Sequence, residues 1–341
     1  MAYPPISETV LNTSIKSNAH EPYYSYQSDI DLYDIHQFTN GQPFKTYDDL
    51  RTNSPIYFQN PPEWDVEPGA WMLTSYKDIM EVSSNPKIFS SQAATGNLMT
   101  LGNPETRHPK LWQTSIDHML NLDGSFHLDL RREHMPFFKP GYVDELHKKV
   151  EIKVETLLDA IAKVGKSNLV KDLSQQIPIF TLSEVLGIPE EDRHKLATWM
   201  EFLELAQYFA AENMKQTQGK AEEMEVDTSM IELFESMIGE MFDYGKHILQ
   251  EKRMNPQNDL LSAIANAELD GAKLSQEYLD GSWLLIIFAG NDTTRNSISG
   301  AIKLLSEFPE QKKKLLSNLD LLPNFAQETI RMVSPVIHMR R

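Results

Sequence analysis

Residues 289–294 read Ala-Gly-Asn-Asp-Thr-Thr, and they follow directly on the apolar run Trp283 to Ala289. A carboxylate beside a hydroxyl at the edge of an apolar segment can carry protons, and Gly290 removes a side chain so that a ligand or solvent can reach the backbone. Two local readings fit. In one, a helix runs on through the segment and leaves Asp292 and Thr293 semi-buried. In the other, Leu284 to Ala289 is a buried strand, Gly290-Asn291 a turn, and Asp292 or Thr293 the N-cap of a helix from Arg295.

The surrounding sequence is mostly helical. Val143, Leu146, Val150, Val154, Leu157, Leu158 and Ile161 recur at three- and four-residue spacing, which predicts one long amphipathic helix. Further helices are expected at Ile177 to Leu186, ended by Gly187-Ile188-Pro189, at Asp192 to Phe209, Ser229 to Arg253, Asp259 to Leu269, and from Glu277 onward. Ala211 to Asp227 is polar and reads as an exposed connection. Strand signals are few: Trp71-Met72-Leu73-Thr74 reads as a short strand, with Ser75 capping a helix that stops before Pro86. Residues 1–64 read as an irregular arm, 65–341 as one domain, and residues 91–110 as a long loop and candidate lid. The expected fold is mainly α with a small β-sheet.

Composition narrows the chemistry. The 341 residues carry a formal charge of −17, which disfavours binding to a phosphate backbone. Neither a signal segment nor an apolar run of the ~20 residues a membrane helix needs is visible, so a cytoplasmic protein without a membrane span is expected. There is no cysteine, which removes disulfides, thiolate nucleophiles and thiolate metal ligands from this stretch of chain. His-Glu-x-x-His, the phosphate loop, Gly-x-Ser-x-Gly and Gly-x-Gly-x-x-Gly are all missing.

Two further constellations remain. His127 and Arg131 stand four apart on a predicted helix that Pro136 ends or kinks, a pairing suited to an acidic ligand and equally to a solvated face. Glu328 and Arg331 stand three apart on a helix between Pro323 and Pro335, ordinarily a surface pair worth under ~1 kcal/mol.

In this order, the His127/Arg131 helix, Ala289-Gly290-Asn291-Asp292-Thr293-Thr294 and Glu328-Thr329-Ile330-Arg331 resemble the cytochrome P-450 family of haem-thiolate monooxygenases. Trp71 to Ser91, Leu182 to Pro189 and Asp259 to Leu274 resemble other stretches of that family, and the likeness covers roughly residues 65 to 341. Gly290 to Ile298, with Arg295-Asn296-Ser297, is closest to the bacterial branch that hydroxylates sterol side chains, methyl-branched lipids or terpenoids.

The resemblance implies the helical reading of the opening segment. It makes Asp292 and Thr293 the proton relay to dioxygen bound at a haem b iron, with Ala289 and Gly290 leaving room for the dioxygen. His127, Arg131 and Arg341 are implied to bind haem propionates, and Glu328 and Arg331 to form a buried structural ion pair. A hydrophobic substrate would meet Leu98, Leu101, Leu285 and Phe288, although core packing serves the last two equally well. Electrons would come from a separate ferredoxin-type donor.

Two departures qualify the match. Leu122-Asp123-Gly124-Ser125-Phe126 stands where the family commonly has an Asp-Pro-Pro-like turn. The family's Phe-x-x-Gly-x-x-x-Cys-x-Gly loop, which supplies the metal's thiolate, has no counterpart, so the chain reads as the N-terminal part of a longer protein and is expected to hold haem weakly by itself. Two alternatives predict other outcomes: a helical protein binding a hydrophobic ligand or partner without redox chemistry, and an α/β protein with several parallel strands.

Overall fold

The computed structural model describes residues 30–32, 34–38, 41–59, 70–91, 109–203, 205, 228–269 and 271–339. The described residues before Leu130 belong to one compact unit and those from Leu130 to His338 to another.

In the first unit, helix α1 (Phe44–Asn53) leads into strand β1 (Ile56–Gln59), which pairs antiparallel with β2 (Ala70–Leu73) in the register Ile56 to Leu73 and Phe58 to Trp71. The rings of Phe58 and Trp71 meet edge to face at 5.0 Å, a cross-strand aromatic pair of the kind that pins a short ribbon. Tyr57 donates its hydroxyl proton to the Ile30 carbonyl at 2.8 Å, and Gln59 accepts from the Leu32 amide at 3.0 Å, which ties residues 30–32 to the strand. The irregular reading of residues 1–64 therefore fails over 44–59. Ile56-Tyr57-Phe58 is strand-forming sequence whose partner lies beyond the two prolines at 61 and 62, a pairing that no local pattern reveals.

Helix α2 (Tyr76–Ser84) starts as its cap predicts: the Ser75 hydroxyl accepts from the Asp78 amide at 3.2 Å. It stops two residues short of Pro86. Asp123, ahead of the next long helix, accepts from the Ser91 amide at 2.8 Å, joining two parts of this unit. Helix α3 (Pro109–Ile116) precedes α4 (Gly124–His134), and Pro136 converts the end of α4 into a 3-10 turn, Met135–Phe138.

The second unit is built from helices. The periodic stretch forms α5 (Pro140–Val164), opened by its proline and closed by Gly165 in the left-handed conformation. A short π-helical turn (Val170–Ser174) enters α6 (Gln176–Leu186), and Gly187, at φ 67°, ends it. A helix over 193–203 (α7), α8 (Thr228–Met254) and α9 (Leu260–Asn266) follow. The predicted continuation of α9 to Leu269 instead becomes the two-residue ribbon β3 (Glu268–Leu269) and β4 (Ala272–Lys273), turned by Gly271 at φ 76°. Then come α10 (Gln276–Ala289), α11 (Asp292–Glu307), α12 (Pro309–Ser317) and α13 (Leu322–Val333).

Helix α10 packs against α8 and α9, while α11 packs against α6, α13 and the π turn. Trp199, Trp283, Tyr278, Leu186, Leu196, Met241, Leu261 and Ile264 are buried and form the core. A fixed charge pair lies beside them. Lys252 Nζ meets Asp259 Oδ2 at 2.5 Å with 6% and 5% of the side chains exposed, while Asp259 Oδ1 caps α9 through the Ser262 amide at 2.7 Å. Gly187 is the only residue type that fits against this pair, because a Cβ there would lie 2.3 Å from Asp259 Oδ2.

The mainly helical expectation holds. Among the described residues the strands form two antiparallel pairs, and Leu284 to Ala289 is helix, which removes the alternative with parallel strands.

Candidate active site

The opening segment is neither one straight helix nor a strand and turn. Helix α10 ends at Ala289 and α11 begins at Asp292, with Gly290 (φ −80°, ψ −14°) and Asn291 (φ −108°, ψ −58°) between them, both still right-handed. The Gly290 amide bonds to the Ile286 carbonyl at 3.0 Å and the Arg295 amide to the Asn291 carbonyl at 3.0 Å. The expectation of an unbroken helix is corrected to two helices meeting at a two-residue break. Its cause is in the sequence: glycine and a buried asparagine, whose Oδ1 has no hydrogen-bond partner, stand where the apolar run gives way to polar residues.

The break sets where each side chain goes. The Thr293 hydroxyl donates back across it to the Ala289 carbonyl at 3.4 Å. Asp292 turns the other way. Its Oδ1 accepts from Arg295 Nη2 and, at 3.0 Å, from Asn296 Nδ2, both one turn further along α11. The Asp292 side chain stays 48% exposed while Arg295 is only 16% exposed. The acid and the alcohol are thus adjacent in sequence but bonded to different partners. Arg295 and Asn296 are the residues that sequence reasoning left without a role; their spacing of three and four from Asp292 was the available signal.

Ala289 and Gly290 do not share one task. Ala289 is exposed, so its methyl group borders open space. A Cβ on Gly290 would lie 2.8 Å from Leu182 Cδ1 and 2.9 Å from the Ile286 carbonyl. The room expected for dioxygen at Gly290 is filled by Leu182 of α6, and a small-residue opening remains at Ala289 alone. Leu285 is buried in α10, whereas Phe288 keeps part of its surface exposed.

Helix α4 carries His127, half-buried, and Arg131, exposed, one turn apart. Arg131 makes no hydrogen bond or ion pair with a described residue, so its guanidinium is available to a carboxylate ligand. Glu328 and Arg331 do pair, at 2.8 and 2.5 Å, but with 58% and 66% of their side chains exposed. The buried placement is corrected: Thr329 is the buried residue of α13, and no described residue covers the face that carries the pair. The Arg331 guanidinium lowers the Glu328 carboxyl below its usual range. Leu98, Leu101 and Arg341 lie outside the described residues.

Among the described residues no group of three or more His, Asp or Glu side chains could hold a metal ion. The side chains present fit a haem. An unpaired Arg131 suits its carboxylates, and the small Ala289 beside the Thr293 hydroxyl and the partly exposed Phe288 suits a face where a diatomic gas and an apolar molecule meet.

Residues 88–336 match the family model described as cytochrome P-450. The chain belongs to the cytochrome P-450 family. It is 29% identical over 312 residues to linalool 8-monooxygenase from Pseudomonas putida, covering 91% of this chain and 72% of that protein. It is 25% identical to a steroid C26-monooxygenase from Mycolicibacterium smegmatis over 92% of this chain and 69% of that one. Among solved structures, a cytochrome P-450 from Mycobacterium marinum in complex with pseudoionone aligns with a TM-score of 0.68 at 27% identity, covering 87% of this chain and 69% of that one. The chain spans 72%, 64% and 62% of the length of three curated relatives that it matches. Haem is the cofactor of this cytochrome P-450 family, and no described helix is long and apolar enough to cross a membrane.

Proposed function

We propose that the protein is a haem-dependent monooxygenase that hydroxylates a hydrophobic terpenoid-, sterol- or lipid-like substrate in the cytoplasm, using dioxygen and electrons from a separate ferredoxin-type donor. The observation that carries the reading is the break at Gly290-Asn291, which brings the Thr293 hydroxyl to the Ala289 carbonyl and leaves the Asp292 carboxylate, on the adjacent residue, bonded to Arg295 and Asn296. Family membership supports the reaction class, and the terpenoid and steroid relatives support the substrate class.

When bound, the haem iron supplies dioxygen activation and insertion of one oxygen atom into a C–H bond. The chain's own residues do the rest. Arg131, with His127 and Arg341, neutralises the haem carboxylates. Ala289 keeps the approach to the break open. Thr293 holds a proton at its hydroxyl oxygen, with the Ala289 carbonyl as resting acceptor. Asp292, released from Arg295 and Asn296 by rotation about its side chain, resupplies that proton from solvent, since nearly half of its surface is already wet. Phe288 borders the substrate and excludes water, and substrate contacts are also proposed for Leu98 and Leu101, which lie outside the described residues. Glu328 and Arg331 brace α13.

The test uses the full-length gene product. Addition of linalool, pseudoionone or a sterol should shift the haem absorption band saturably and give a hydroxylated product when a ferredoxin system is supplied. No haem retention, or haem without any response to these apolar molecules, overturns the proposal.

A further inference from the structure

Three large aromatic side chains from three different helices touch one another in the second unit. Trp199 of α7, Tyr244 of α8 and Trp283 of α10 have ring centroids 5.2, 5.9 and 6.2 Å apart, each ring in contact with the other two. The two indoles are 1% exposed and Tyr244 is half-buried. Packing alone accounts for an aromatic cluster in a core, but the polar ends of this one are differentiated in a way that packing does not require. Trp283 donates its Nε1 proton to the Met241 carbonyl at 2.9 Å, and Trp199 Nε1 has no partner. Tyr244 donates its phenolic proton to Asp192 Oδ2 at 2.9 Å.

That carboxylate is held ionised, with one oxygen toward the phenol. Lys195 Nζ bonds its other oxygen, Oδ1, at 2.8 Å and keeps the Asp192 carboxyl below its ordinary range. Burial and the acceptor bond raise the Tyr244 phenol well above its usual value, so at neutral pH the phenol keeps its proton. Lys195 also lies 5.0 Å over the Tyr244 ring, Asp192 is 24% exposed, and Glu191 and Glu251 add negative charge nearby. The indole end lies on the helix that carries the candidate site. Trp283 stands six residues before Ala289 on α10, about 9 Å along the helix axis at the usual rise per residue.

We propose that Trp283, Trp199 and Tyr244 form a conduit that carries an oxidising equivalent away from the candidate site when oxygen is activated with no substrate to hydroxylate. This inference rests on the proposed haem chemistry for its source of oxidant. In the first step one electron passes from an indole, Trp283 or Trp199, to the oxidised haem site, leaving an indole radical cation. In the second, one electron passes from Tyr244 to that indole while the phenolic proton moves to Asp192 Oδ2, so the indole is restored and a neutral phenoxyl radical remains. In the third, a small thiol or ascorbate at the exposed Asp192 end donates one electron and releases its own proton to solvent, and the proton held by Asp192 returns to the phenol oxygen. One electron has entered from solvent and one oxidising equivalent has left the site, with the protein unchanged.

Two measurements separate the conduit from the haem reading. In the first, no haem is needed. The full chain, with Trp64, Trp71 and Trp112 changed to phenylalanine, is pulsed with azidyl radicals, which oxidise indole in preference to phenol. The indole-radical absorption should decay into phenoxyl absorption at a rate independent of protein concentration. Tyr244→Phe, which keeps the ring and removes only the phenol oxygen, should abolish that transfer, and Asp192→Asn should slow it. Equal transfer in all three proteins overturns the proposal whatever the cofactor proves to be.

In the second, the haem-loaded protein is treated with hydrogen peroxide without substrate and frozen for electron paramagnetic resonance. A tyrosyl signal should appear, vanish in Tyr244→Phe, and leave that variant's haem bleaching several-fold faster. An unchanged signal and an unchanged bleaching rate overturn the protective role.

Discussion

The hydroxyl of Thr293 bonds to the carbonyl of Ala289 at 3.4 Å, across a helix break, while the neighbouring carboxylate of Asp292 is bonded in the opposite direction. The resting structure therefore keeps the two halves of a proton relay apart. Thr293 is loosely held by one long bond, and Asp292 is held by two donors on its own helix.

Loss of the hydroxyl separates oxygen consumption from product formation. Thr293→Ala should still bind haem and apolar substrate but should convert about 100-fold less of the consumed dioxygen into product, the lower end of the scale on which a positioned proton donor acts. Thr293→Ser should recover most of the yield. Product and peroxide measured per dioxygen consumed check both.

Asp292→Asn keeps the acceptor for Arg295 and Asn296 but cannot carry a proton. Turnover should drop by about 10- to 100-fold with substrate affinity unchanged, and the solvent deuterium isotope effect should rise. A change confined to affinity would assign Asp292 a structural part only.

Gly290→Ala should destabilise the fold without touching the relay groups. Its new methyl group would sit 2.8 Å from Leu182 Cδ1 and 2.9 Å from a backbone oxygen, of which only the first can yield. Overpacking of this kind costs about 1–3 kcal/mol, read as a lower urea midpoint. Leu182→Ala in the same chain should give less than the sum of the two losses.

Lys252→Met leaves Asp259 ionised and buried without its cation, which typically costs about 3–5 kcal/mol. Adding Asp259→Asn keeps an oxygen for the α9 cap and removes the charge, so the double variant should recover much of the loss in the same denaturation experiment.

Acid should weaken the fold through two histidines. Burial pulls His134 down to about 4 from 6.5, and His118 likewise to about 4, so between those values the unfolded chain binds protons that the folded chain refuses. Stability is then full above pH 6.5 and falls as the pH drops toward 4, by on the order of 3 kcal/mol for each ring. His134→Gln, neutral throughout, should flatten the fall in urea midpoint over that range.

The parts of the fold that could be read from sequence are those fixed by local chemistry. The three- and four-residue spacing from Val143 to Ile161 marks α5, Ser75 marks the start of α2, and Gly187 marks the end of α6, because each signal lies within one turn of its effect. Strand β1 was hidden because its partner is remote, and the break at Gly290-Asn291 was hidden because helix and cap propensities are balanced there. At the candidate site, motif order nominates Asp292, Thr293, Ala289 and Arg131. Which way Asp292 turns depends on Arg295 and Asn296, and what fills the space at Gly290 depends on Leu182, a residue more than a hundred positions away. The exposure of Glu328 and Arg331, and the meeting of Trp199, Tyr244 and Trp283, are tertiary facts with no sequence period behind them.

The most direct test of the central claim traces oxygen. The full-length, haem-loaded protein, supplied with a ferredoxin system and a terpenoid or sterol, is run under isotopically heavy dioxygen in ordinary water, and the product is weighed by mass spectrometry. The account predicts one heavy oxygen atom in each hydroxylated product molecule, with the yield per dioxygen falling in Thr293→Ala. Product carrying oxygen from water, or apolar substrate bound and returned unchanged under those conditions, would contradict it.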